Sequence, residues 1–265
     1  MTKTRLGKLE TQFLAYLQMR KKTTIKTGEA QKTLSLTQSQ EADLFRRLSA
    51  GRIITRVRPG LYLVPDRLPL GGTWAPGEIQ ALNALMDDRN GLYQICGPNS
   101  FHRYGYDEQV PNRLYVYNNK ISGDRKIGPV QLTLIEVSRE RLGGTVEVKT
   151  ADGETAVYSS RERTLVDAVY DWARFDTLPR AYEWIRADLR EARISVEVLV
   201  NTIVRYGDVS TRRRFGFLLE REDCDPKWLS KLDRSLSSSG SFIPWIPRRP
   251  KKGKPSDRWG VVDNE

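Results

Sequence analysis

The stretch IITRVRPGLYLVP, residues 53–65, alternates apolar and polar residues, breaks at Pro59-Gly60, and alternates again. Period-two alternation on both sides of a turn signal reads as a β-hairpin. Pro followed by Gly suits a type II turn better than the usual tight hairpin turns, which predicts an open tip. Alternation would send Ile53, Thr55 and Val57 to the core and leave Ile54, Arg56 and Arg58 on the other side. With Arg52, the hairpin then carries three arginines close to its turn.

Working upstream, Leu6, Leu9, Phe13, Leu14 and Leu17 recur at three- and four-residue steps, the mark of one apolar helix face. Arg20, Lys21 and Lys22 close that helix where cations complement its dipole. Thr27 is positioned to cap a brief helix over residues 28–34, and Ser35-Leu36-Thr37 makes a turn of helix-turn-helix length. Thr37 and Gln40 form a T-x-x-Q capping box for the next helix, whose buried face is Leu44, Phe45 and Leu48. Gly51 stops it.

Helix, short helix, turn, helix and hairpin is the order of a winged helix-turn-helix, here residues 1–67. In that arrangement the third helix enters the major groove and the hairpin lies along the backbone. Gln38, Ser39 and Gln40 in its first turn become candidates for base-edge contacts, and Arg46 and Arg47 for its exposed face. Lys26, Lys32, Arg52, Arg56 and Arg58 become candidates for phosphate. Charge supports this reading. Residues 1–67 hold 14 Lys/Arg against 5 Asp/Glu, so they carry +9 of the chain's +11. Concentration of that kind is the electrostatic footprint of a phosphate-binding module. Each of these side chains could instead be an ordinary solvated residue, and a winged helix can also serve only to dock proteins.

PDRLPLGGTWAPG, residues 65–77, holds three prolines and three glycines, and reads as an interdomain linker. Residues 78–265 read as a larger mixed domain, which makes the chain α+β. Residues 78 onward begin a helix. RLYVYN and PVQLTLIEV have strand composition, and TVEVKT and ETAVYS flank the turn Asp152-Gly153. Ser159 with Glu162 suggests another capping box. Helices follow on the faces of Leu165, Val169 and Trp172, of Leu178, Ala181, Ile185 and Leu189, and of Val196, Leu199, Val200 and Ile203. Asp225-Pro226 opens one more. The basic, proline-rich segment 244–258 is expected to be an extended tail.

Several classes are disfavoured. The first ten residues lack an apolar signal-peptide core, and no apolar run approaches a membrane span, so the expected location is cytoplasmic. Cys96 and Cys224 stand far apart, and His102 is the single histidine. No Gly-rich phosphate loop and no Cys/His cluster occurs, so neither a cofactor nor a metal is expected. No heptads suggest a coiled coil, and a monomer is expected in free solution.

The segments LSAGRIITRVRPGLYLVP, ICGPNSFHRYGY, YSSRERTLVDAV, STRRRFGFLLE and RWGVVDN, in this order, resemble the AbiE-type antitoxins. These are the transcriptional-regulator half of type IV toxin–antitoxin systems of phage defence by abortive infection. The resemblance implies a non-enzymatic, winged DNA-binding domain followed by an antitoxin domain. It implies repression of its own operon through inverted repeats in double-stranded DNA. It also implies a nucleotidyltransferase-like toxin that is opposed without a stable complex. It assigns no antitoxin residues. Arg212, Arg213 and Arg214 are a possible second DNA contact, or a helix start paired with nearby acids. The rival reading is a metal-dependent nuclease fused to the DNA-binding domain, with Glu136 and Glu147 holding Mg²⁺ and Lys149 orienting a water. Glu147 and Lys149 at period two could equally be a surface charge pair.

Overall fold

In the computed structural model, residues 6–67, 73–236 and 241–265 are described; residues 68–72 of the 65–77 segment, called a linker above, lie outside them. The chain begins with α1 (Lys8–Met19), β1 (Thr24–Lys26), α2 (Glu29–Leu34) and α3 (Gln38–Ala50), then β2 (Thr55–Arg58) and β3 (Leu61–Leu63). The hairpin β2–β3 is joined by β1 on the far side of β3, giving an antiparallel sheet in the order β1-β3-β2. Phe13, Leu14 and Leu17 of α1 meet Leu44, Phe45 and Leu48 of α3 over Ile25, Ala30, Ile53, Ile54 and Val64. All of these lie within residues 13–64, so this core closes on itself.

Next come α4 (Glu78–Asp88), β4 (Tyr93–Ile95), α5 (Pro98–Arg103), β5 (Leu114–Asn118), β6 (Gly123–Ile127) and β7 (Val130–Glu136). After a single 3₁₀ turn follow β8 (Thr145–Lys149) and β9 (Thr155–Ser159). They form one six-stranded sheet, β6-β7-β5-β4-β9-β8, in which β5 runs parallel to β7 and β4 parallel to β9. The period of two separates its faces. Leu114, Val116, Leu132 and Leu134 face α4, while Tyr117 and Ile135 lie in a second cluster with Cys96. With both faces covered, β5 and β7 read as nearly continuous apolar runs.

The remainder is helical: α6 (Arg161–Tyr170), α7 (Trp172–Phe175), α8 (Arg180–Arg190), α9 (Val196–Tyr206), α10 (Val209–Arg221) and α11 (Pro226–Arg234). A small sheet closes it, with β12 (Val261–Asp263) between β10 (Ile243–Pro244) and β11 (Lys254–Ser256). Trp245 and Trp259 are fully buried, and Trp245 stacks on Tyr182 at 3.6 Å. Segment 244–258 is therefore no free tail: its lysines and arginines reach solvent, but its tryptophan and Ile246 insert into the helical core. Burying an aromatic ring outweighs the extended preference of the surrounding prolines.

A buried ionic network ties this helical unit to the sheet. Arg163, fully buried, donates through Nε to both Asp167 carboxylate oxygens at 2.9 Å and through its terminal nitrogens to the Gly143 and Arg141 carbonyls. Arg141 adds a second guanidinium to Asp167 at 2.7 Å and lies over the Tyr170 ring. Two further sequence expectations shift by one residue. The cap of α6 is Ser160, not Ser159, because the Ser159 hydroxyl is buried and accepts from Gln94. The cap of α2 is Gly28 in the left-handed region at φ 93°, not Thr27.

Candidate nucleic-acid interface

The first turn of α3 is built by local chemistry. Thr37 Oγ1 accepts from the Gln40 backbone N–H at 3.2 Å, and Gln40 Oε1 accepts from the Thr37 N–H at 2.8 Å. This reciprocal box satisfies donors that the helix leaves open. It engages the Gln40 carbonyl oxygen, whereas the exposed Gln38 and Ser39 side chains have no partner among the described residues.

Glu41, fully buried one residue further on, fixes α3 against α2. Its carboxylate accepts from the backbone N–H of Gly28 at 2.9 and 2.8 Å, from Ala30 at 3.0 Å, and from the Gln31 side chain at 2.7 Å. A carboxylate on a helix N-terminus satisfies orphan donors and the dipole together. Sequence reading missed this residue. Its signal was a polar residue on the helix face shared with Leu44, Phe45 and Leu48.

The hairpin departs from simple alternation. A bulge between Arg56 and Arg58 sets Arg56 opposite Tyr62 but Arg58 opposite Leu61. Ile53 and Ile54 are both buried, Arg56 is exposed, and Val57 packs against the sheet core rather than the first one. Arg58 turns to α4 and binds Asp88 in a fork, Nε to Oδ2 at 2.6 Å and Nη2 to Oδ1 at 2.7 Å. Lys26 reaches the same carboxylate at 3.2 Å. Arg58 first, then Lys26, hold the Asp88 carboxyl down at about 2, well below the usual carboxylate range, against its burial.

Lys26 and Arg58, read from sequence as phosphate contacts, are thus both engaged within the chain. The physical reason is a carboxylate 30 residues away in sequence that no local pattern ties to the hairpin. Arg47 likewise pairs with Glu10 of α1 at 2.7 Å, and Arg46 with Asp43 at 3.1 Å on the surface. Lys32, Arg52 and Arg56 are exposed without a partner among the described residues. The unengaged set around α3 and the hairpin is therefore Lys32, Gln38, Ser39, Arg52 and Arg56.

The second proposed contact is corrected. Arg213 and Arg214 are each 5% exposed on α10, and Arg212 donates to the Ser235 and Val204 carbonyls at 2.9 and 2.7 Å. The triplet is turned to holding the helical unit together: Arg213 and Arg214 are buried, and the half-buried Arg212 gives its terminal nitrogens to backbone carbonyls. The rival metal site also comes apart. Glu136 lies on β7 and Glu147 on β8, with β5, β4 and β9 between them. Four strand spacings put the two carboxylates roughly 19 Å apart, too far to share an ion. Lys149 donates to Thr155 Oγ1 at 2.6 Å. Among the described residues no cluster of three His, Cys, Asp or Glu side chains could hold a metal.

The class that these elements define is a mixed α+β protein, and no helix of its described residues is long and apolar enough to cross a membrane. In structure the chain is similar to the RV2827C protein from Mycobacterium tuberculosis, whose crystal structure superposes with a TM-score of 0.62 at 14% identity, over 98% of this chain and 92% of that one. At that identity the likeness is one of fold. No protein-family model and no curated protein matches the sequence.

Proposed function

We propose that the chain is a DNA-binding antitoxin and autorepressor of the AbiE type, with residues 1–67 acting as a winged helix-turn-helix. The observation that carries the DNA-binding part is the combination at α3. Its first turn is capped by Thr37 and Gln40 and leaves Gln38 and Ser39 exposed and unbonded, beside a three-stranded sheet ordered β1-β3-β2. Helix, strand, helix, helix, hairpin with that strand order matches the winged arrangement. Amide and hydroxyl groups on a first turn have the chemistry to pair with base edges. Phosphate contact falls to Lys32, Arg52 and Arg56, with Lys26 and Arg58 available once Asp88 releases them. The resemblance of the sequence segments supports the antitoxin part, with inverted-repeat operator DNA and a nucleotidyltransferase-like toxin as the partners.

The test is binding of the purified chain to the DNA upstream of its own gene and to a scrambled duplex across a salt series. The reading expects preference for the upstream DNA and a steep fall in affinity with salt. Equal affinity for both duplexes at every salt concentration would remove the repressor reading. The antitoxin half is tested separately, by rescue of growth in cells expressing the neighbouring nucleotidyltransferase-like gene.

A further inference from the structure

A cavity of about 570 Å³ opens where the first unit meets the central sheet, between the end of α3, the start of β2 and the β6–β7 turn. That volume lies within the roughly 300–1,000 Å³ of small-molecule sites, which favour such junctions. Among the described residues its wall carries three cations, Arg52 and Arg56 from one unit and Lys126 from the other, and no carboxylate. None of the three has an ion pair or a side-chain hydrogen bond among the described residues. Elsewhere Arg47, Arg58, Arg113, Arg161 and Arg186 are all paired with acids.

Two more observations point the same way. The Ser49 hydroxyl on this wall is shielded from solvent and has no hydrogen-bond partner. Buried hydroxyls ordinarily find one, so a missing partner marks a place for a ligand atom. Arg52 sits at φ 54°, a left-handed conformation that residues other than glycine seldom adopt. It is held there by its N–H to the Ser49 carbonyl at 3.0 Å and by the Trp74 N–H to its own carbonyl at 2.7 Å. A left-handed residue just past the cap is a common way for a helix to end, and here it fixes the chain along the cavity wall. The Trp74 indole, Ile54 and Pro129 complete the wall with apolar surface.

We propose that this cavity binds a phosphorylated small molecule with a planar ring, of the nucleotide class. Arg52, Arg56 and Lys126 take the phosphate, the Ser49 hydroxyl gains its missing partner, and the ring lies against Trp74. Three uncompensated cations around one cavity repel one another, and an oxyanion relieves that repulsion while bridging the two units. Arg52 lies two residues past the end of α3, so an occupied site would set the angle between α3 and the central sheet. The site shares Arg52 and Arg56 with the DNA face proposed above, and nucleotide binding in the absence of DNA tests it independently of that reading.

The experiment is calorimetric titration of the full chain, without DNA, with AMP, ATP, inorganic phosphate and adenosine. The proposal expects saturable binding of the nucleotides, weaker binding of phosphate, and no measurable binding of adenosine. Each charge-assisted contact removed, in Lys126→Gln and in Arg52→Gln, should weaken nucleotide binding by about tenfold or more. Both side chains are exposed, so the melting curves of these variants should match the parent and show that folding is intact. Absence of saturable binding by either nucleotide at millimolar concentration overturns the proposal, as does binding that survives both substitutions.

Discussion

Replacing Asp88 with Asn removes one charge and leaves the side-chain shape, and so isolates what the carboxylate does for the hairpin. Asp88 is 5% exposed, held by Arg58 in a fork and by Lys26 beyond it. Its pKa falls from an ordinary 3.8 to about 2. At about 1.4 kcal/mol per unit, that difference is worth roughly 2 kcal/mol of stability at neutral pH. Arg58 is 34% and Lys26 58% exposed, and solvent screening at those ends reduces the figure to about 1 kcal/mol. The folded pKa is the lower one, so the contribution is present above pH 4 and is lost as the pH falls toward 2. Urea unfolding of the parent and of Asp88→Asn should differ by about 1 kcal/mol at pH 7, and by about half of that at pH 3. The same substitution frees two cations beside the hairpin. Under the DNA-binding reading, affinity for a scrambled duplex should rise, and the salt slope should steepen by up to about two units. A stability difference that is the same at pH 7 and pH 3 would refute the ionic account of this contact. Unchanged DNA affinity with an altered stability would show that Arg58 and Lys26 face away from the duplex.

Arg163→Ala should destabilise the chain by about 3–5 kcal/mol in denaturant unfolding, since it strands the buried Asp167; a loss below 1 kcal/mol would mean that Arg141 alone satisfies that carboxylate. Gln38→Ala or Ser39→Ala, at whichever position reads a base, should cost about 1–3 kcal/mol on operator DNA and little on a scrambled duplex. Equal losses on both duplexes would assign these side chains to the backbone. Gly216→Ala places a Cβ 2.1 Å from the buried Trp259 ring, and overpacking of that kind should cost about 1–3 kcal/mol, read as a lowered melting temperature.

What could be read from sequence divides by the range of the interactions involved. The Thr37 capping box, the Asp152-Gly153 hairpin and the Asp225 cap are decided within four residues, and the structure has all three. Two elements escaped for a different reason. β6 is the polar run Gly123–Ile127 on a sheet edge, exposed at four of its five positions, so it carries no alternation to read. β4 has only three residues. At the candidate interface, residue type and element order could be read but engagement could not. Asp88 binds the hairpin across 30 positions, and Glu41 binds the α2 N-terminus across 13. The triplet at 212–214 misled because three successive arginines read as surface, whereas they turn inward to backbone carbonyls. Arg214, 5% exposed, approaches the Pro244 carbonyl.

The placement of β12 in the middle of the last sheet orders events during synthesis. The first core draws on residues 6–64, so it can close as soon as that stretch is free of the ribosome. The helical core needs Trp259 and Val261, and Asn264 bonds the Ile246 backbone through both its side-chain oxygen and nitrogen. Nearly 200 residues separate the two points, which at synthesis speeds of about 5–20 residues per second is a delay of roughly 10–40 s. Through that interval the hairpin unit is free to fold while the rest of the polypeptide is still being made.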